Sequence, residues 1–205
     1  MSEEPAESSE ASETLMEQGL EQLRDGFFDD AASTFSACLA LQPYDAKALR
    51  GRGLAYLQLK KWSLAAADFR VVTELNPDDP ENWVDLAVSL GMDNQVYPAI
   101  EMFETVLAKH PKHVRGHLQL GLLYFRLAAI AKGREQMQAA LVSRPNLEER
   151  RMIERVLREQ DQLDQKRYYR PDFEALNKQQ RGFSLSRITE TIRRWFGKKP
   201  EHPES

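Results

Sequence analysis

The sequence predicts an all-α chain: a solenoid of about four helix-turn-helix repeats, closed by a C-terminal capping helix and followed by a separate amphipathic helix. Two observations predict it. Pro43, Pro77, Pro111 and Pro145 recur every 34 residues, a period at which helical hairpins stack on one another. Further columns keep the same phase without a gap: Gly19, Gly53, Ala87 and Gly121; Ala31, Ala65, Ala99 and Gly133; Phe35, Phe69, Phe103 and Met137.

Taken in order, residues 1–11 are acidic and lack an apolar stripe, so they read as a disordered lead-in. The first 14 residues hold five Glu and no basic residue, which excludes a secretory or transit peptide. The repeats are expected over 12–45, 46–79, 80–113 and 114–147. The third shows the pattern best. Asn76-Pro77-Asp78-Asp79-Pro80 is a turn cluster whose last proline suits a first helical turn. Trp83, Leu86, Ala87 and Leu90 then form one apolar stripe, and Ala99, Phe103, Val106 and Leu107 form the next. The small residue at 87 lets paired backbones approach, the ring at 103 fills the space beside it, and Pro111 ends the second helix. Residues 147–166, with Met152, Ile153, Val156 and Leu157 on one side, read as a helix that covers the open end of the stack.

Residues 167–182 read as a linker and 200–205 as a tail. Between them, 183–199 form a basic amphipathic helix. Leu185, Ile188, Ile192, Trp195 and Phe196 share one face, and Arg187, Arg194 and Lys198 lie opposite. Three occupants fit that face: its own solenoid, another protein, or an anionic membrane.

Composition narrows the function. The chain has 205 residues, 41% hydrophobic and 29% charged, with one Cys and a net charge of −4. One cysteine excludes an intrachain disulfide and a zinc site built on several thiolates. The acidic balance argues against general nucleic-acid binding. No apolar run approaches the length of a membrane span. The expected location is cytoplasmic, with a peripheral membrane surface as the alternative. No phosphate loop, nucleophile elbow or metalloenzyme motif is present. His113 and His117 are four apart, yet His117 stands where Trp83 stands one repeat earlier, which favours a structural role. Cys38 falls in a packed small-residue column. No catalytic, cofactor or metal residue is assigned, and no enzymatic activity is expected.

The pattern resembles the tetratricopeptide repeat family. Leu49, Gly53, Tyr56, Ala65, Phe69 and Pro77 carry the resemblance in repeat two, where Arg52 departs from the usual leucine. Trp83, Leu86, Ala87, Ala99, Phe103 and Pro111 carry it in repeat three. Leu120, Gly121, Tyr124, Ala140 and Pro145 carry it in repeat four, with Gly133 and Met137 as departures. Repeat one is weakest, with Gln18 and Gln22 at apolar positions. The resemblance implies a right-handed solenoid whose first helices line a concave face. By phase that face carries Met16, Leu20, Leu23 and Arg24; Lys47, Arg50, Leu54 and Leu57; Val84, Asp85, Val88 and Met92; and Arg115, Leu118, Leu122, Phe125 and Arg126. It is apolar with a few cations, suited to an amphipathic helix or an extended apolar peptide. Family members that clamp an Hsp70 or Hsp90 tail use Lys and Asn on these helices. Met16, Leu20, Gly51, Glu81 and Asp85 stand at the matching positions, so a clamp of that type is not expected. The resemblance therefore implies a protein-interaction adaptor, scaffold or co-chaperone, or alternatively a membrane recruitment factor or a secretion or assembly chaperone.

Overall fold

A computed structural model describes the backbone of residues 4–168 and the side chains of residues 9–166. The described residues form nine helices and no strand. They are α1 (Glu4–Asp25), α2 (Phe28–Leu41), α3 (Ala46–Gln58), α4 (Trp62–Leu75), α5 (Pro80–Met92), α6 (Val96–Lys109), α7 (Val114–Arg126), α8 (Ile130–Val142) and α9 (Leu147–Tyr168). The chain divides into two compact units, residues 1–158 and 159–205. The described part of the second is the end of α9. The expected linker, amphipathic helix and tail beyond residue 168 lie outside the described residues.

The period is carried by the backbone at both ends of the first helices. Asp45 caps α3, its carboxylate accepting from the N–H of Lys47 at 2.7 Å and of Ala48 at 3.1 Å. Asp79 does the same for α5 through the N–H of Glu81 at 3.0 Å. One repeat later the cap is a histidine: His113 Nδ1 accepts from the Gly116 N–H at 3.0 Å. Each satisfies donors that a helix start leaves without intrahelical partners. The other end repeats as well. Gly26, Lys60, Asn94 and Ala128 have φ of 86°, 58°, 65° and 57°. The next residue's N–H then reaches back to Gln22, Tyr56, Leu90 and Tyr124 carbonyls, each at 2.9 Å. This is a Schellman closure, and it folds each second helix back beside the first.

Helices α1 to α8 pack on their neighbours in chain order, and the core is a file of three clusters. The first lies among α1–α4 around Phe35, the second among α4–α7 around Phe69 and Phe103, and the third among α7–α9 around Met137 and Ile153. The aromatic column is buried against the small column. A β-carbon on Gly53 would lie 2.9 Å from Phe69 Cζ, and one on Gly121 would lie 2.9 Å from Met137 Cε. Met137 thus takes the place of the ring in repeat four and is fully buried.

Other departures also have local explanations. Arg52 forks onto Asp68, with Nε to Oδ2 at 2.8 Å and Nη2 to Oδ1 at 2.7 Å, and reaches Ser36 Oγ at 3.3 Å. His117 Nε2 contacts the Pro111 carbonyl at 3.0 Å, as Trp83 Nε1 contacts the Pro77 carbonyl at 2.8 Å. Its Nδ1 meets Gln136 at 2.8 Å, so both ring nitrogens are engaged inside the fold. In repeat one, the Oε1 of Gln22 is buried without a hydrogen-bond partner. Cys38 is buried with its Sγ 3.3 Å from Ser12 Oγ.

One boundary differs from expectation. The lead-in, expected to be disordered through residue 11, is helical from Glu4. Its Glu and Ala residues are good helix formers, and negative charge near a helix start suits the macrodipole. Helix α9 starts in a capping box, in which Asn146 and Glu149 exchange bonds of 2.8 and 2.9 Å. Ile153 is fully buried and Val156 and Leu157 pack beside it, whereas Met152 of the same stripe is 49% exposed.

Candidate partner-binding face

The first helices α3, α5 and α7 bring two chemically distinct zones together. Toward their N-termini lies a closed polar cluster. Asp85 on α5 has a fully buried side chain and takes Arg50 Nε of α3 at 3.1 Å and Arg115 Nη2 of α7. Arg115 Nη1 also donates to Glu81 Oε2 at 2.6 Å, and His113 Nε2 meets Glu81 Oε1 at 2.9 Å. The hydrogen bond from His113, reinforced by Arg115, holds the Glu81 carboxyl down at about 2. Burial opposes the charge on Arg115, but Asp85 and Glu81 outweigh it and raise its pKa. Two guanidinium groups and two carboxylates cancel, so this zone offers little net charge to a ligand.

Toward the C-termini of the same helices the face is apolar. Leu54, Leu57, Val88 and Leu122 are half-buried, each with part of its surface open. Between α5 and α7, over Phe103 of α6, lies a pocket of about 170 Å³ whose apolar lining is Ala87, Val88, Gly91, Met92, Leu122 and Leu123, with Gln119 and Arg126 as its polar lining. Met92 is 43% exposed. Arg126 donates to the Gly91 carbonyl and lies 3.1 Å from Met92 Sδ, which holds it across the end of α5.

The structure redistributes the residues that phase alone assigns to this face. Leu54, Leu57, Val88 and Leu122 lie on the apolar zone, and Arg50 and Arg115 lie in the polar cluster. Lys47 is exposed, Leu20 is 44% exposed, and Leu23 is half-buried against the first cluster. Two assignments are corrected, and a third is shared with the packing. Val84 is fully buried in the core cluster that holds Phe69 and Phe103. Leu118 is 4% exposed and packs with Met137, Ala140 and Ile153, at the seam with α8 and α9. Phe125 is half-buried with its ring against Gly133 of α8; a β-carbon there would lie 2.5 Å from Phe125 Cε1. Val84 and Leu118 are thus consumed by packing, whereas Phe125 lies against α8 and keeps part of its surface open. The expected docking residues Leu185, Ile188, Ile192, Trp195 and Phe196 lie outside the described residues.

Reading by phase misses the ion pairs. Arg50 and Asp85 are 35 apart, Glu81 and Arg115 are 34 apart, and Asp85 and Arg115 are 30 apart. Opposite charges about one repeat apart on adjacent first helices were the available signal. Among the described residues, no group of three His, Cys, Asp or Glu is placed to hold a metal ion, and no helix is long and apolar enough to cross a membrane.

The tetratricopeptide repeat profile matches residues 16–80 and 99–148, more than half of the chain. The chain belongs to the tetratricopeptide repeat family. Among curated proteins it is 26% identical over 102 residues to the peroxisomal targeting signal receptor of Kluyveromyces lactis. That match covers 50% of this chain and 18% of the receptor, so the chain spans under a fifth of that relative's length. Among solved structures it is similar to MamA from Desulfovibrio magneticus RS-1, with a TM-score of 0.59, 22% identity, and coverage of 64% of this chain and 75% of that one. It is also similar to the first tetratricopeptide repeat domain of Spaghetti (RPAP3), solved bound to an HSP90 peptide. There the TM-score is 0.53 at 22% identity, over 58% of this chain and 95% of that one. These structures share the fold. Membership of the tetratricopeptide repeat family supports a role in protein–protein interaction, with a protein or peptide as partner.

Proposed function

We propose that the chain is a non-catalytic adaptor or co-chaperone that holds an amphipathic helix or extended apolar segment of a partner along α3, α5 and α7. The observation that carries this is the pairing of zones on one face: an open apolar strip beside cations already neutralised by the chain's own carboxylates. A groove built for an acidic tail would leave those cations free. Here Asp85 and Glu81 occupy Arg50 and Arg115, so a terminal carboxylate finds no open clamp and the gain comes from apolar contact.

The test is a double substitution, Leu54→Glu with Leu122→Glu, in the full chain. Both residues are half-buried on the strip, and neither belongs to the signature columns. Partners captured from a lysate by the unaltered chain should be lost from the variant while its helical circular dichroism is kept. A folded variant that retains its partners places binding on another surface. A variant that loses its helicity shows that the strip belongs to the core.

A further inference from the structure

The pocket between α5 and α7 exists because of one residue. Position 91 falls in the column that holds Leu23, Leu57 and Phe125 in the other repeats. In repeats one and two the leucine there packs against the cluster that holds the alanine of the next helix, Ala31 or Ala65, and in repeat four the phenylalanine is matched by Gly133. Repeat three alone places glycine opposite alanine, Gly91 against Ala99, and the missing side chain leaves the pocket. Folding does not require that glycine. Its backbone is helical, and a β-carbon on it would meet Ala99 Cβ at 3.5 Å and Leu123 Cδ1 at 3.7 Å, ordinary contact distances. Glycine inside a helix is instead disfavoured relative to alanine, because it loses more backbone freedom on folding.

Among the described residues, the charge in the pocket's lining is Arg126. Arg126 rests on a carbonyl and a thioether, neither of which carries a charge. Arg50, Arg52 and Arg115 each hold a carboxylate. The pocket is therefore mostly apolar, with Gln119 in its lining and a guanidinium at its rim that faces no carboxylate among the described residues. Its volume of about 170 Å³ matches that of an apolar cavity large enough for benzene, about 150 Å³.

We propose that this pocket seats one bulky aliphatic or aromatic side chain of the partner segment, and that a carboxylate within one helical turn of that anchor pairs with Arg126. This rests on the reading of the α3–α5–α7 face as the binding face and names what the partner must carry. The chemistry is that of a buried anchor with a polar rim: the anchor contributes by apolar burial, and the ion pair at the edge sets orientation.

The probe is a random peptide library displayed on phage and panned on the immobilised full chain. Recovered peptides are then synthesised and titrated by fluorescence anisotropy. The expected peptides carry one bulky apolar residue with Asp or Glu within a turn of it. Gly91→Leu fills the pocket with the side chain used at positions 23 and 57. It should weaken binding about tenfold or more while the melting temperature is kept or raised. Gly91→Ala, the milder change, should weaken binding less. Arg126→Glu should weaken the acidic peptide and be rescued when its acid is replaced by Lys. Gly91→Leu binding as tightly as the unaltered chain overturns the pocket, as does failure of the Lys peptide to rescue Arg126→Glu. If that result comes with loss of binding in the Leu54→Glu, Leu122→Glu variant, the face reading survives and the pocket alone falls. If none of these variants loses the peptide, or panning recovers none, both fall. If Gly91→Leu lowers the helical signal, Gly91→Ala and the Arg126 charge exchange decide.

Discussion

Gly133→Ala sets the repeat pattern against the three-dimensional packing. Repeats one to three carry alanine at this column, so pattern alone favours the change. Helix propensity agrees, with a gain of about 1 kcal/mol for alanine in place of glycine inside a helix. The structure opposes it. A β-carbon at 133 would lie 2.5 Å from Phe125 Cε1 and 3.0 Å from Cγ, well inside van der Waals contact and against the body of the ring. Overpacking of this kind costs about 1–3 kcal/mol, which exceeds the propensity gain. The expected result is a net loss of about 1 kcal/mol, from a cost near 2 less a gain near 1. In a Phe125→Leu background, which restores the leucine–alanine pairing of repeats one and two, the same change should stabilise. The two sites should then couple by about 1–2 kcal/mol in a double-mutant cycle. Urea unfolding followed by circular dichroism at constant m-value measures all four forms. If Gly133→Ala stabilises equally in both backgrounds, the ring does not occupy the space that glycine leaves, and the reasoning is refuted.

Ala128 is held at φ 57° in the turn where repeat one uses Gly26. Ala128→Gly should raise stability by about 1 kcal/mol in the same unfolding assay, by relieving a left-handed alanine. Phe69 is fully buried, and Phe69→Ala should cost about 3–5 kcal/mol; a loss under about 1 kcal/mol would mean the ring is not core. Glu81 is held down at about 2 against an ordinary 4.5. Its stabilising contribution is thus complete above about 4.5 and is lost as pH falls through about 2. Unfolding midpoints measured across that window should fall with pH, and Glu81→Gln should flatten the fall.

Much of the fold is legible in the chain because a solenoid repeats one local problem. At a fixed 34-residue spacing, every column meets the same neighbours, so Phe35, Phe69, Phe103 and Met137 declare themselves as buried and the small column as their seat. The proline and Asp positions mark where each hairpin begins. The left-handed turn residues are less legible. Gly26 and Asn94 advertise such a turn, whereas Lys60 and Ala128 adopt it only because the hairpin closes there.

Periodicity and the exclusion of apolar residues from water are enough to set the helices, their order and the buried columns. The tertiary structure decided the character of the binding face. Phase places Val84, Leu118 and Phe125 on it, but the packing of adjacent helices buries the first two in the core and lays Phe125 against Gly133. Phase likewise showed Arg50 and Arg115 as cations on an apolar wall, and only the approach of α3, α5 and α7 joined them to Asp85 and Glu81. The pocket at Gly91 is of the same kind. A missing side chain is visible in a column, but whether its neighbours close over the space depends on side-chain reach across two repeats, which no single repeat encodes.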